Sequence, residues 1–273
     1  MVGGARLRHA GLFASALLAL AGCATTPHSP ATGDRSLSYA MPQAGGKQIP
    51  YRVYLPSAWS PRARMPLVVV LHGYAATADQ PFEEAAGKLQ REAERHGFVV
   101  VSPSGYNGMA DYGANLPLPS SLSRSGKPLD TTPQAESALA EADVLNVIDR
   151  ATRDYAIDSR RIYLMGNSMG MTGVLHLART QPQRWCAVSA SGGPPWPDYP
   201  VERLKRLSGM LLVHGGRDTL AKIADSEGLA NRAKAAGIDA RLQVIPEGTH
   251  GDAWTHYLAE TFQFFADRDC RNR

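Results

Sequence analysis

Gly166-Asn167-Ser168-Met169-Gly170 places a serine between two glycines with the spacing G-x-S-x-G. That spacing carries chemistry when an apolar strand precedes it and a helix follows. Ile162-Tyr163-Leu164-Met165 supplies the strand, and a helical pattern runs on from Ser168 to Thr180. A sharp turn there lifts the hydroxyl clear of the sheet. It also sets the Met169 N–H at a helix N-terminus, where negative charge is stabilised. A plain glycine-rich turn would read the same, so the pentapeptide gains meaning only from its partners.

A serine hydroxyl is a weak nucleophile until a base takes its proton. The chain has eight histidines. His9 and His28 precede the folded region. His72 and His214 close apolar runs, His96 ends a helical segment, and His176 and His256 fall within helical segments. His250 lies in Glu247-Gly-Thr-His-Gly251, a loop after the last apolar run, and is the best-placed base. The acid that orients it should follow the penultimate strand. Met210-Leu-Leu-Val-His-Gly-Gly-Arg-Asp218 supplies Asp218. Asp225 falls in a helical segment, and Asp252 is too near His250 in sequence to reach it naturally. The chain order Ser168, Asp218, His250 fits nucleophilic acyl transfer on an α/β sheet. A second donor for the developing oxyanion is the N–H of Tyr74, in the turn His72-Gly73-Tyr74. His72 reads as support for that turn.

These groups need a scaffold. Continuous or alternating apolar runs at Ile49–Leu55, Pro66–His72, Phe98–Val101, Ile162–Met165, Ala187–Ala190, Met210–Val213 and Leu242–Ile245 predict seven strands, with Ser36–Met41 as an edge strand. Helical periodicity covers Phe82–His96, Glu136–Tyr155, Ser168–Thr180, Lys222–Ala236 and Trp254–Ala266. In the second of these, Leu139, Ala142, Leu145, Ile148 and Ala151 share a face. Alternating strands and helices predict an α/β fold: a mostly parallel eight-stranded sheet with helices on both faces. The stretch Ser102–Pro133 is rich in Gly, Pro, Ser and Asn and breaks the rhythm. A loop that long, at a strand's carboxyl end, belongs beside a site.

At 44% hydrophobic and 20% charged residues, the chain is globular in composition. Residues 1–22 have the layout of a signal peptide: Arg6 and Arg8, then an apolar run from Gly11 to Ala21 too short to span a bilayer. The run ends in Leu20-Ala21-Gly22-Cys23, which resembles the lipobox of bacterial lipoproteins. That resemblance implies cleavage before Cys23, a lipid anchor on it, and a place in the cell envelope. Residues 23–35 read as a lipidated N-terminus and flexible tether, and residues 36–273 as the domain. The formal charge is +4, and losing Arg6 and Arg8 with the leader leaves +2. So small a surplus, with no basic cluster in the sequence, points away from nucleic acid. Cys186 and Cys270 remain; an oxidising compartment permits a disulfide, and two buried thiols are the alternative.

Taken together, Leu71-His72-Gly73, Gly166–Gly170, His214-Gly-Gly-Arg-Asp218 and Gly248-Thr-His250 resemble the α/β-hydrolase superfamily over about residues 45–268. The elbow resembles that of compact secreted feruloyl and acetylxylan esterases, polyester depolymerase-like proteins and the prolyl-oligopeptidase catalytic domain. Asn167 stands where those families often have His, and Met171 where a further Gly is common. The resemblance implies a serine esterase that needs no cofactor or metal, with a short-peptide peptidase or a non-catalytic envelope protein as alternatives. Only about 18 residues lie between Ser191 and Met210, too few for a separate cap domain. Tyr106, Tyr112, Trp196 and Trp254 are then candidates to line an open site for a small or polymer-linked ester.

Overall fold

The computed structural model describes residues 1–4, 31–116, 133–193 and 199–271. Most of the leader, Cys23, most of the tether, residues 117–132 and Trp196 lie outside the described residues. Eight strands form one sheet: β1 (Gly33–Met41), β2 (Lys47–Leu55), β3 (Met65–Leu71), β4 (Val99–Pro103), β5 (Ile157–Asn167), β6 (Val188–Ser191), β7 (Met210–Gly215) and β8 (Ala240–Ile245). Their order is β1-β2-β4-β3-β5-β6-β7-β8. The β1·β2 and β2·β4 pairs are antiparallel, and every other pair is parallel. The sheet starts at Gly33, three residues before the expected boundary, because Asp34 is held by Arg52 across the β1–β2 hairpin.

The central strand β3 shows why its sequence is unbroken apolar. All seven of its residues are buried. Leu67, Val69 and Leu71 face one core, and Val68 and Val70 face the other. A strand covered on both faces has no polar side to alternate with. The first core is closed by α3 (Gln134–Asp154), α4 (Met169–Thr180) and α5 (Ile223–Ala235). The second is closed by α1 (Gln80–Glu84), α2 (Lys88–His96), α6 (Ala253–His256) and α7 (Leu258–Ala266).

Two expected helices are each broken. The Phe82–His96 segment splits into α1 and α2, with Ala86 at φ +48° and Gly87 at φ +78°. Two left-handed residues in a row cannot continue a right-handed helix. The last segment splits into α6 and α7 at Tyr257. Helix α3 is rotated from the expected face: it buries Ser137, Ala140, Asp143, Val144, Val147, Ile148 and Ala151, while Leu139, Ala142 and Leu145 are half-buried. The cause is Asp143, fully buried, which accepts hydrogen bonds from the Tyr39 hydroxyl at 2.7 Å and the Tyr106 N–H at 3.3 Å. A polar residue with a structural job turned the helix.

Cys186 and Cys270 are joined in a disulfide across a sequence separation of 84. It ties the entrance of β6 to the C-terminal end of the described chain.

Candidate functional site

Strands β3, β5, β7 and β8 end on the same side of the sheet, and the loops that leave them carry the reactive groups. Ser168 sits between β5 and α4 with φ +58° and ψ −119°. A non-glycine residue held in that region is strained, and here the strain aims the side chain outward. The turn is so tight that a Cβ on Gly166 would lie 2.6 Å from the Gly170 backbone. Glycine is required for that crossing.

His250 Nε2 lies 2.8 Å from Ser168 Oγ, and its Nδ1 lies 2.8 Å from Asp218 Oδ2. Asp218 has no exposed side-chain surface, and His250 is 17% exposed. So the acid is locked away while the base reaches solvent. Asp218 Oδ1 accepts from the N–H groups of Leu220 at 2.8 Å and Ala221 at 2.9 Å. Two backbone donors on one oxygen fix the carboxylate and leave the other oxygen for the imidazole. The fully buried His214 braces the same loop: its Nε2 faces the Ala221 carbonyl at 3.3 Å and its Nδ1 faces Ser226 Oγ at 2.9 Å. Of the rival acids, Asp252 instead receives the Thr249 N–H at 2.6 Å and so shapes the base loop.

The turn after β3 lies against the nucleophile: a Cβ on Gly73 would be 3.8 Å from Ser168 Cβ. The N–H groups of Gly73, Ala75 and Ser168 are all engaged, by Gln80 Oε1, the Gly108 carbonyl and the Ser191 carbonyl. Among the described residues, those of Tyr74 and Met169 find no acceptor, which leaves them for an incoming oxyanion. His72 is buried beneath the turn, with its ring nitrogens against the carbonyls of Gly73 and Ser104. Burial lowers its pKa, and the two carbonyls partly offset that. It is a support.

Two residues that motif reading left without a role tie the site together. Gln80 joins its Oε1 to the Gly73 N–H at 2.8 Å and donates from Nε2 to Glu84 at 2.8 Å. Burial pushes the Glu84 carboxyl above the usual range, and the Gln80 amide N–H pulls it partly back. Asn167 donates from Nδ2 to the His250 carbonyl at 3.2 Å. The elbow and the base loop are thereby held to each other. Gly192, at φ +58°, lets a third loop approach: a Cβ there would lie 2.9 Å from Asn167 Oδ1. No sequence signal marks Gln80; Asn167 was visible only as a departure from related elbows. Met171, the other departure, is buried, and its sulfur accepts the Gly193 N–H at 3.2 Å.

The aromatic candidates are placed differently from expectation. Tyr112 is fully buried; its hydroxyl donates to the His72 carbonyl at 3.2 Å, and its ring packs edge-on to His72 at 5.5 Å. It props the turn from below. Trp254 is 5% exposed and lies in the second core, where it closes a hollow of about 10 Å³ behind the elbow with Gln80, Glu84 and Asn167. Tyr106 has the Lys47 ammonium 4.2 Å above its ring. Tyr112 and Trp254 form no open wall, because both rings are buried in the protein, while Tyr106 is half-buried. Trp196 is outside the described residues.

An eight-stranded, mainly parallel sheet with this order, carrying a serine on the strained turn after β5, defines the α/β-hydrolase fold. The chain belongs to the esterase family: the family model described as "Putative esterase" matches residues 43–265. It is 26% identical over 190 residues to the bifunctional acetylxylan esterase/xylanase XynS20E of Neocallimastix patriciarum, a match covering 70% of this chain. The chain spans about a quarter of that relative's length, 24%. Its fold is similar to the fluorophosphonate-binding serine hydrolase FphF of Staphylococcus aureus, with a TM-score of 0.65, 16% identity, and coverage of 86% of this chain and 98% of that one. A ferulic acid esterase gives a TM-score of 0.64 at 14% identity, with coverage of 86% and 99%.

Proposed function

We propose that this protein hydrolyses carboxylic esters through an acyl-enzyme on Ser168. The observation that carries this is the unbroken chain of contacts Asp218–His250–Ser168, with both links at 2.8 Å. Ser168 Oγ attacks the acyl carbonyl while His250 Nε2 takes its proton. Asp218 holds the imidazole in the tautomer that can accept and stabilises the imidazolium that forms. The N–H groups of Met169 and Tyr74 receive the oxyanion. His250 then protonates the departing alcohol, and a water activated by the same nitrogen releases the acid.

The preferred substrate class is an acyl group on a carbohydrate or polymer. The short connection between β6 and β7 supports this, since about 18 residues leave little chain to roof the nucleophile. A relative whose name includes acetylxylan esterase supports it too. The leader and the Leu20–Cys23 tetrad support export to a bacterial envelope and lipidation at Cys23. Release of p-nitrophenol from short-chain p-nitrophenyl esters, compared with Ser168→Ala, tests the reaction. Turnover lost in the variant is expected; equal turnover in both removes Ser168 from the mechanism. Acetylated and feruloylated sugars test the substrate class, and the mass of the mature N-terminus tests lipidation.

A further inference from the structure

The turn from His72 to Ala75 is gripped by the loop that leaves β4. The Ser104 carbonyl lies 2.9 Å from His72 Nε2, and the Ala75 N–H donates to the Gly108 carbonyl at 2.9 Å. These two contacts fall on either side of Gly73 and Tyr74, so the loop fixes the direction of the Tyr74 N–H. The approach is close: a Cβ on Gly108 would lie 2.3 Å from the Ala76 carbonyl oxygen.

That loop needs an outside hold to keep its shape. Gly105, Tyr106 and Gly108 have φ values of +59°, +68° and +79°. Left-handed backbone is open to glycine but strained for tyrosine, and such strain persists only where neighbouring groups over-determine it. Tyr106 stands midway in sequence between the two gripping carbonyls, and its N–H donates to Asp143 Oδ2 at 3.3 Å. Asp143 reaches it from α3 and is fully buried. Its Oδ1 accepts the Tyr39 hydroxyl of β1 at 2.7 Å, and that hydroxyl accepts from Asn146 Nδ2 at 3.3 Å. One carboxylate oxygen is thus tied to the sheet and the other to the loop. A buried carboxylate is costly to desolvate, so its acceptors must be used well. The bond from Asn107 Nδ2 to Glu136 at 2.7 Å lies in the open, where water competes with it.

We propose that Asp143 is a positioning residue for the hydrolysis: it holds the Tyr106 N–H, so sets the loop 104–108, and through the Ser104 and Gly108 carbonyls that loop aims the Tyr74 N–H at the oxyanion. This deepens the esterase reading and rests on Ser168 as nucleophile and Tyr74 as oxyanion donor. A donor aimed at the oxyanion acts in the transition state and not on bound substrate. Misaiming it therefore lowers kcat and leaves KM in place. A merely structural role would lower the folded fraction instead. Variants of the full chain are compared with the parent by p-nitrophenyl acetate turnover and by the rate at which a fluorophosphonate labels Ser168. Thermal unfolding fixes a temperature at which each is folded, and kcat is expressed per labelled serine, so a smaller folded fraction alone moves neither number.

In Asp143→Ala, kcat should fall on the order of 10-fold, a part of the about 100- to 1,000-fold that loss of an oxyanion donor costs. KM should stay within about twofold, and labelling should slow by the same factor as kcat. Asp143→Asn keeps a carbonyl for the Tyr106 N–H and should bring both rates back to within about threefold of the parent. Gly108→Ala forces the loop off Ala76 with Asp143 intact and should reproduce the Asp143→Ala pattern. Should Asp143→Ala fail to fold, Asp143→Ser, which offers Tyr39 a hydroxyl and room for water, is read by the same two rates. A folded Asp143→Ala or Asp143→Ser with both rates at the parent level overturns the assignment. So does a loss carried by KM alone, or an Asp143→Asn that loses as much as Asp143→Ala. A parent that is labelled but inert on esters removes the esterase reading and leaves the labelling rates to decide on Asp143. A parent that takes no label overturns both.

Discussion

Replacing Asp218 by Asn changes one atom of a fully buried side chain and should remove most of the activity. The structure fixes which way the new amide points. Oδ1 of Asp218 receives the N–H groups of Leu220 and Ala221, while Oδ2 faces His250 Nδ1. An amide has one accepting and one donating end. Turning its NH₂ towards Leu220 and Ala221 would strand two buried N–H groups, at about 1–3 kcal/mol each. The carbonyl end therefore stays on the backbone donors, and the NH₂ is presented to His250 Nδ1. That nitrogen must then accept, which moves the imidazole proton to Nε2, the atom that has to take the proton from Ser168. A fall in kcat of about 10⁴-fold is expected, equivalent to about 5 kcal/mol of transition-state stabilisation. The assay is p-nitrophenyl acetate hydrolysis by purified Asp218→Asn, with thermal unfolding to show that the variant folds. A folded variant with kcat within tenfold of the parent would refute the tautomer argument. The same loss in Asp252→Asn instead would move the role of the acid to Asp252.

Asn167→Ala cuts the tie from the elbow to the His250 carbonyl; kcat should fall about fivefold with KM unchanged, the worth of one hydrogen bond. Gln80→Ala frees the Gly73 N–H and loosens the oxyanion turn, so ester turnover and fluorophosphonate labelling of Ser168 should slow together. For Glu84 the folded pKa lies above the unfolded one, so its contribution to stability is full below the ordinary glutamate range and lost as pH rises through the folded value. Glu84→Gln should therefore raise Tm relative to the parent more at pH 7 than at pH 4, and an equal difference at both pH values would count against this reading. Cys270→Ser opens a loop with a sequence separation of 84 and should cost about 4–5 kcal/mol in denaturant unfolding, an amount the parent under reducing conditions should match.

How much of this was legible in the sequence follows from the range of each signal. The strands were visible because a strand buried on both faces is a run of apolar neighbours, as Pro66–Leu71 is. The positions of Ser168, Asp218 and His250 were visible because each follows a strand, and parallel strands bring their exits to one side. The tertiary structure decided what depends on contacts distant in the chain. Asp143 turned α3 only because Tyr39 and the Tyr106 N–H lie opposite it. Tyr112 and Trp254 look like pocket aromatics in sequence, yet the fold packs one under His72 and the other into the second core. Gln80 meets Gly73 through a turn whose path no periodicity predicts. Sequence alone determined the order of elements and the candidate chemistry, because those are local patterns on a regular scaffold. Which side chains face one another was settled only by folding, because it depends on where separate loops meet in space.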